Sequence, residues 1–252
     1  MRHTDTGQLR GWSLPALSRL ALLAIATGLV GCATGGPRPD PAPSGARVLP
    51  LATAEGLTLL RARAEPVTYQ GRPGLRLQAL DEIGPAEDLL AVVAGLDFQD
   101  GEIHLEVAGA PLPGAPAEMR GFIGLSFHVS PDAARSEDVY LRPSNGRAEE
   151  QLRRNHAVQY QSTPDFGWKR LRDESPGQYE AYADLQPGVW TRLRVKVSGT
   201  RAELYVNGAE QPTLIVRDLK LGAVGGGVAL WAHRTTEAYF RNLVVCPPAG
   251  PR

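Results

Sequence analysis

Between Tyr140 and Arg172, seven basic residues (Arg142, Arg147, Arg153, Arg154, Lys169, Arg170 and Arg172) stand against three acidic ones (Glu149, Glu150 and Asp165). His156, Tyr160, Phe166 and Trp168 are interleaved with them. Arg142, Arg147 and Asn145 present fixed donor geometries suited to hydroxyls or carboxylates, while Tyr160 and Trp168 offer ring faces to the apolar side of a sugar. The excess of arginine suits an acidic sugar or another oxyanion. His156 titrates near neutrality and is best placed for acid/base work, with Glu180 as a nearby carboxylate. A competing reading is a solvated charged helix capping one end of a β-sandwich. Glu149 with Arg153 and Glu150 with Arg154 have the i,i+4 spacing of ion pairs on a helix from Ala148 to Arg154. Such pairing would remove those two arginines from the ligand set.

A second constellation is Glu102, His104 and Glu106 on one face of an alternating run. At normal strand rise the outer carboxylates stand about 13 Å apart, beyond the roughly 5 to 10 Å of two-carboxylate glycoside chemistry. Charge on a solvent-facing strand explains them. His104, His128, His156 and His233 are scattered, with no HExxH, CxxC or EF-hand pattern, so no metal site is assigned. No cofactor is implied; a structural calcium held by loop oxygens needs no compact motif and stays open. Gly225-Gly226-Gly227 precedes a strand rather than opening a helix, and reads as a turn.

Short apolar runs broken by turn residues must position these groups. Thr58 to Arg63, Leu75 to Leu80 and Leu89 to Val93 are separated by Pro66, Gly71-Arg72-Pro73-Gly74 and Ile83-Gly84-Pro85. Gly101 to Val107 and Phe122 to Val129 alternate as half-buried strands. Within Asp138 to Arg142, Val139 and Leu141 take the core side, which leaves Asp138, Tyr140 and Arg142 on the other. Trp190 to Val197 leads through Ser198-Gly199-Thr200 into Ala202 to Val206 as an antiparallel hairpin. Val228 to Ala232 and Ala238 to Val245 close the set. About a dozen short strands with fragmentary helical periodicity predict an all-β, two-sheet antiparallel jelly-roll sandwich with one short helical insertion.

The segments GVWTRLRVKVSGTRAELYVNGAEQPTLIV and GGGVALWAHRTTEAYFRNLVV resemble the paired and closing strands of laminin-G-like and concanavalin-A-like jelly rolls. With YLRPSNGRAEEQLRRNHAVQY, the chain from about Glu55 to Val245 resembles bacterial secreted domains grouped with the 3-keto-disaccharide hydrolases. The resemblance implies a saccharide partner and leaves three functions open. These are carbohydrate binding through Arg142, Asn145, Arg147, Tyr160 and Trp168; hydrolysis of an oxidised or acidic saccharide through His156 and Glu180; and a structural role in the envelope.

The N-terminus carries a delivery signal. Arg2, Arg10 and Arg19 precede the apolar segment Leu20 to Val30, too short to span a bilayer, which takes about 20 residues. Leu29-Val30-Gly31-Cys32 resembles the lipobox of bacterial lipoproteins, which implies a lipid-modified Cys32 and, with Ala33 following, outer-membrane sorting. The predicted organisation is a signal peptide (1–31), a lipid-anchored Pro/Gly-rich linker (32–47), a jelly-roll domain (48–246) and a tail (247–252). Cys246 then has no intramolecular partner and reads as a small semi-buried hydrophobe. With 27 basic and 27 acidic residues the chain has no net charge, which argues against nucleic acid. A monomer is expected.

Overall fold

The alternating runs fold as two antiparallel sheets packed face to face. The computed structural model describes residues 45–81 and 87–248. The predicted signal segment and the predicted lipid anchor at Cys32, with most of the linker and C-terminal tail, lie outside them. In chain order the strands begin with β1 (Arg47–Leu49), β2 (Leu57–Leu60), β3 (Ala62–Tyr69), β4 (Arg72–Ala79) and β5 (Asp88–Val93). β6 (Gly101–Pro111), β7 (Ile123–Val129), β8 (Ser136–Leu141), β9 (Val158–Thr163) and β10 (Glu180–Ala181) follow. β11 (Thr191–Ser198), β12 (Arg201–Val206), β13 (Leu214–Val216), β14 (Gly227–His233) and β15 (Thr236–Cys246) complete the set. Between β8 and β10 stand a 3-10 turn (Pro143–Asn145) and two short helices, α1 (Gln151–Asn155) and α2 (Trp168–Glu174). The charge pattern implies only the first of these helices.

One sheet runs β13-β12-β11-β6-β15-β4-β3, with β1 also paired to β15; the other runs β10-β9-β8-β7-β14-β5-β2. Every pairing is antiparallel. This is the jelly-roll sandwich that the strand pattern predicts. Between the sheets, Ile103, Leu105 and Val107 of β6 share one core with Leu193, Val195 and Val197 of β11, Ile123, Leu125 and Phe127 of β7, and Val139 and Leu141 of β8. Each such fully buried side chain contributes about 1.5–3 kcal/mol.

Local backbone chemistry corrects the strand reading at two places. The run Thr58 to Arg63 is two strands, because Arg61 takes φ 58° and the chain passes from one sheet to the other there. Its side chain then donates from Nε to the Asp88 carbonyl at 2.7 Å, tying the crossing to β5. Pro66 is no turn: it lies inside β3, which is an edge strand, where a missing N–H is tolerated.

β7 also departs from the half-buried expectation, since every residue in it is buried, and its neighbour β8 is likewise buried throughout. On the outward face of their sheet, Leu90, Val129, Tyr140, Ala229 and Trp231 form a second, smaller apolar cluster. The candidate site is built on this face.

Candidate functional site

Leu90, Trp231, Gly124, Tyr140, Gln159 and Glu180 are successive Cα partners across β5, β14, β7, β8, β9 and β10. Strand periodicity turns directly paired residues toward the same face of a sheet. Gly124 is the narrow point of this row: a Cβ there would stand 2.1 Å from the Val139 carbonyl oxygen and 2.8 Å from Tyr140 Cβ. Without one, the rings on either side meet, Tyr140 and Trp231 stacking with centroids 4.7 Å apart and planes at 28°. Such a pair is worth about 0.5–1.5 kcal/mol beyond its buried area. Phe122 packs edge-on against Tyr140 at 6.2 Å and against His233 at 5.4 Å.

These rings line a cavity of about 740 Å³. Its other lining residues divide by strand. Asp88 and His233, with Glu87, belong to the β5–β14 side; Arg142, Asn145, Arg153, His156, Trp168 and Arg172 come from the segment after β8. Arg120, on the loop before β7, also lines it. That loop is tied to the 3-10 turn by a hydrogen bond from Ser144 N to the Arg120 carbonyl at 3.2 Å.

Arg142 sits at the centre, 5% exposed. Its Nη1 donates to Glu180 Oε1 (3.1 Å), Gln159 Oε1 (2.9 Å) and the His156 carbonyl (3.3 Å), and its Nη2 donates to the Tyr140 hydroxyl (3.2 Å). Its guanidinium also lies 5.3 Å from the Tyr140 ring centre and 5.6 Å from that of Trp168. Trp168, at the start of α2, also has the Arg172 guanidinium 4.8 Å from its ring centre.

Glu180 is the anchor beneath. Its side chain is 2% exposed and meets Arg142, Arg172 through two nitrogens, and His156 Nε2 at 3.5 Å. Burial alone would raise its carboxyl pKa, but the Arg172 bonds and the charges of Arg172, Arg142 and His156 outweigh burial and hold it below the ordinary range. Glu180 is therefore a fixed anion, without a proton to give near neutrality. His156 is pushed down by burial, with the Arg172 and Arg142 charges adding to it, so the imidazole is neutral at pH 7.

Asp88 behaves in the opposite way. Burial, then the like charge of Asp138, push it up to about 6 against the opposing Trp231 indole N–H and Arg61 charge. Asp138 lies on the same face two paired rows away, in the row of Val92, Ala229 and Ser126, and is buried. Ser136 Oγ donates to it at 2.8 Å, Gln161 Nε2 at 3.2 Å and Thr163 Oγ1 at 2.9 Å. His233 accepts the Thr235 N–H at Nδ1 (3.2 Å). Its proton therefore sits on Nε2, which faces Glu87 at 3.6 Å.

Of the residues singled out in the sequence, Arg142, Asn145, His156 and Trp168 come together on the cavity wall, and Glu180 supports them from behind. Tyr160 is not a ligand group. It shares the parity of Val158, points into the inter-sheet core and is fully buried, its hydroxyl donating to Glu137 at 2.7 Å. Nor does Arg147 line the cavity: it makes an exposed two-pronged pair with Asp184 at 2.6 and 3.0 Å. The i,i+4 pairs on the helix do not form, because α1 begins at Gln151, past both glutamates. Arg153 Nε donates to Asn145 Oδ1 at 3.1 Å instead, which returns it to the site. Arg154 donates to the Ala148 and Glu149 carbonyls.

Trp231, Phe122, Asp88, His233 and Arg120 were not singled out. Trp231 did carry a signal: in Val228 to Ala232 it falls on the parity opposite the core residues Val228, Leu230 and Ala232. Glu102, His104 and Glu106 lie on the other sheet in a surface charge ladder. Glu102 meets His104 at 3.2 Å and Arg194 at 3.8 Å; Glu106 meets Arg72 at 3.6 Å and Arg241 at 3.7 Å. Among the described residues no group of three or more His, Cys, Asp or Glu side chains is placed to hold a metal ion.

No family model and no curated protein matches the chain. Solved structures do. The carbohydrate binding module CBM66 from Bacillus subtilis aligns with TM-score 0.51 at 13% identity, over 76% of this chain and 96% of that one. A Bacillus subtilis protein of unknown function with a galectin-like fold aligns with TM-score 0.52 at 13% identity, over 79% and 94%. The chain shares their jelly-roll fold. At this identity the likeness is one of fold, and the lining residues carry the argument about chemistry.

Proposed function

We propose that the chain binds a saccharide in the cavity on the outward face of the β7–β8 sheet. The observation that carries this reading is the pairing of an aromatic floor (Tyr140, Trp231 and Phe122) with fixed polar groups at its edge (Arg142, Arg153, Gln161 and Asp88). A sugar ring is C–H on its faces and hydroxyl around its perimeter, so it needs ring surfaces below and oriented donors and acceptors at the side. The volume of about 740 Å³ falls in the range of small-molecule sites, about 300–1,000 Å³. The fold likeness to a carbohydrate binding module supports the reading at the level of architecture. The proposal includes delivery to the outer membrane through a lipid-modified Cys32.

Calorimetric titration against a glycan panel tests it. Saturable binding without turnover is expected, weakened about tenfold or more in Trp168→Ala. Trp168 is 43% exposed and lies outside the inter-sheet core, so removing its ring leaves that core intact. Binding that is indifferent to Trp168→Ala and equally strong in Arg142→Gln would place the ligand elsewhere and defeat the proposal.

A hydrolytic reading is favoured by one observation. Asp88, pushed up to about 6, has the proton affinity of a general acid, and the neutral His156 could serve as base. Product release from a bound saccharide, abolished in Asp88→Asn, would move the assignment from binding to hydrolysis.

A further inference from the structure

The four arginines of the cavity are not equally satisfied. Arg142 and Arg172 share one buried carboxylate, Glu180. Arg153 and Arg120 have no carboxylate partner among the described residues. Arg153 spends only its Nε, on Asn145 Oδ1 at 3.1 Å, which leaves both terminal nitrogens without a protein acceptor there. Arg120 uses only Nη1, on the Ala117 and Met119 carbonyls at 2.5 and 3.0 Å, which leaves its Nε and Nη2 open. Both side chains line the cavity and both are half-buried.

Their placement is enforced. Asn145 is 4% exposed, and its Nδ2 donates to the His156 carbonyl at 3.0 Å, which fixes the amide so that Oδ1 faces Arg153. Burial, then the charge of Arg153, lower the pKa of Arg120 against the opposing charge of Glu118, and the Arg142 charge adds a smaller lowering. Glu118 and Glu150 also line the cavity, but as exposed rim residues that form no ion pair with these arginines. Half-buried like charges held together with unfilled donor forks are a destabilising arrangement unless something anionic completes it.

We infer that the saccharide is an acidic one, its carboxylate received by the open guanidinium edges of Arg153 and Arg120 while its ring lies over the Tyr140–Trp231 floor. This rests on the saccharide reading and narrows it to the uronate class. A carboxylate fits better than a neutral hydroxyl because it accepts two parallel N–H bonds from one guanidinium. The β5–β14 side of the cavity, with Asp88 and Glu87, would receive the neutral hydroxyl edge of the same or the next sugar.

The test uses the full-length protein and matched pairs of probes: oligogalacturonate, oligomannuronate and hyaluronan fragments, each beside its carboxyl-reduced counterpart. At least one acidic probe is expected to bind roughly 10- to 100-fold more tightly than its reduced partner, as a charge-assisted hydrogen-bonded pair provides. The preference should shrink as NaCl is raised, be lost in Arg153→Gln and be partly restored in Arg153→Lys. Arg153→Gln should keep the parent's cooperative thermal unfolding and lose far more affinity for the acidic probe than for its reduced partner, which a merely unfolded variant would not. Equal binding of acidic and reduced partners, or a preference that survives both Arg153→Gln and Arg120→Gln, overturns the acidic assignment and leaves saccharide binding standing. Failure of every acidic and every neutral probe overturns both.

Discussion

Glu180→Gln isolates the charge on which the site is assembled. The substitution keeps the shape of the side chain and removes the single negative charge that answers Arg142 and Arg172 and faces His156. Removing one partner of a buried pair costs about 3–5 kcal/mol, because the other charge stays buried and uncompensated. Arg142 is in that position, with a side chain 6% exposed, whereas the Arg172 side chain is 30% exposed and water can take up part of its loss. The expected cost is therefore near the lower figure, about 3 kcal/mol, or a melting temperature lower by roughly 6–12 °C for a domain of this size. The pH dependence gives the sharper test. The folded pKa of Glu180 lies below its ordinary 4.5. Its contribution is thus fully present above the unfolded value and is lost as pH falls through the folded one. Urea unfolding of both proteins at pH 7 and near pH 3 should show a gap that is full at neutrality and narrower in acid. A gap below about 1 kcal/mol at pH 7, the level of a surface pair, would refute the reasoning, as would a gap of unchanged size in acid.

Asp88 predicts the opposite sign. Its rise from 3.8 to about 6 means that its favourable contribution is present below the unfolded value and is lost as pH rises through about 6. Asp88→Asn should therefore stabilise the protein at pH 7 by up to about 3 kcal/mol, converted at 1.36 kcal/mol per unit, and by little near pH 3.5. A variant no more stable than the parent at pH 7 would show that the ionised carboxylate is not penalised. For the proposed anchor, Cys32→Ser should abolish incorporation of an alkyne-tagged fatty acid in cells of a double-membraned bacterium, and undiminished labelling would sink it.

The sheets were legible because their signal is local. Ile103, Leu105 and Val107, or Leu193, Val195 and Val197, declare the buried face by alternation alone, and the structure buries those faces. The site was legible only where it lay in one stretch. Arg142, Asn145, His156 and Trp168 stood out by composition, and the fold gathers them. The failures share a cause. Tyr160 is chemically a good sugar-stacking group, but its parity with Val158 sends it into the core, and parity weighs more than side-chain type. Trp231 shows the converse: its outward parity within an apolar strand marked it, and its value came from pairing with Gly124 and Tyr140, a relation between strands far apart in sequence. Spacing alone also misassigned Arg153, because an i,i+4 pair exists only if the helix includes both residues, and α1 starts too late.

These differences bear on how the site works. Its aromatic floor depends on one missing side chain, since any Cβ at position 124 would collide with the Val139 carbonyl, so the floor belongs to the rigid sheet. The cationic wall, by contrast, is carried by short segments, α1, α2 and the loop at Arg120, held by Asn145, Glu180 and the Ser144–Arg120 bond. A rigid platform under an arginine wall on short connections separates two tasks. The platform recognises that a ring is present, and the wall decides which ring. Substitutions confined to the exposed and half-buried wall positions Arg120, Arg153, Trp168 and Arg172 should thus alter ligand preference while the jelly roll and its Tyr140–Trp231 floor stay as they are.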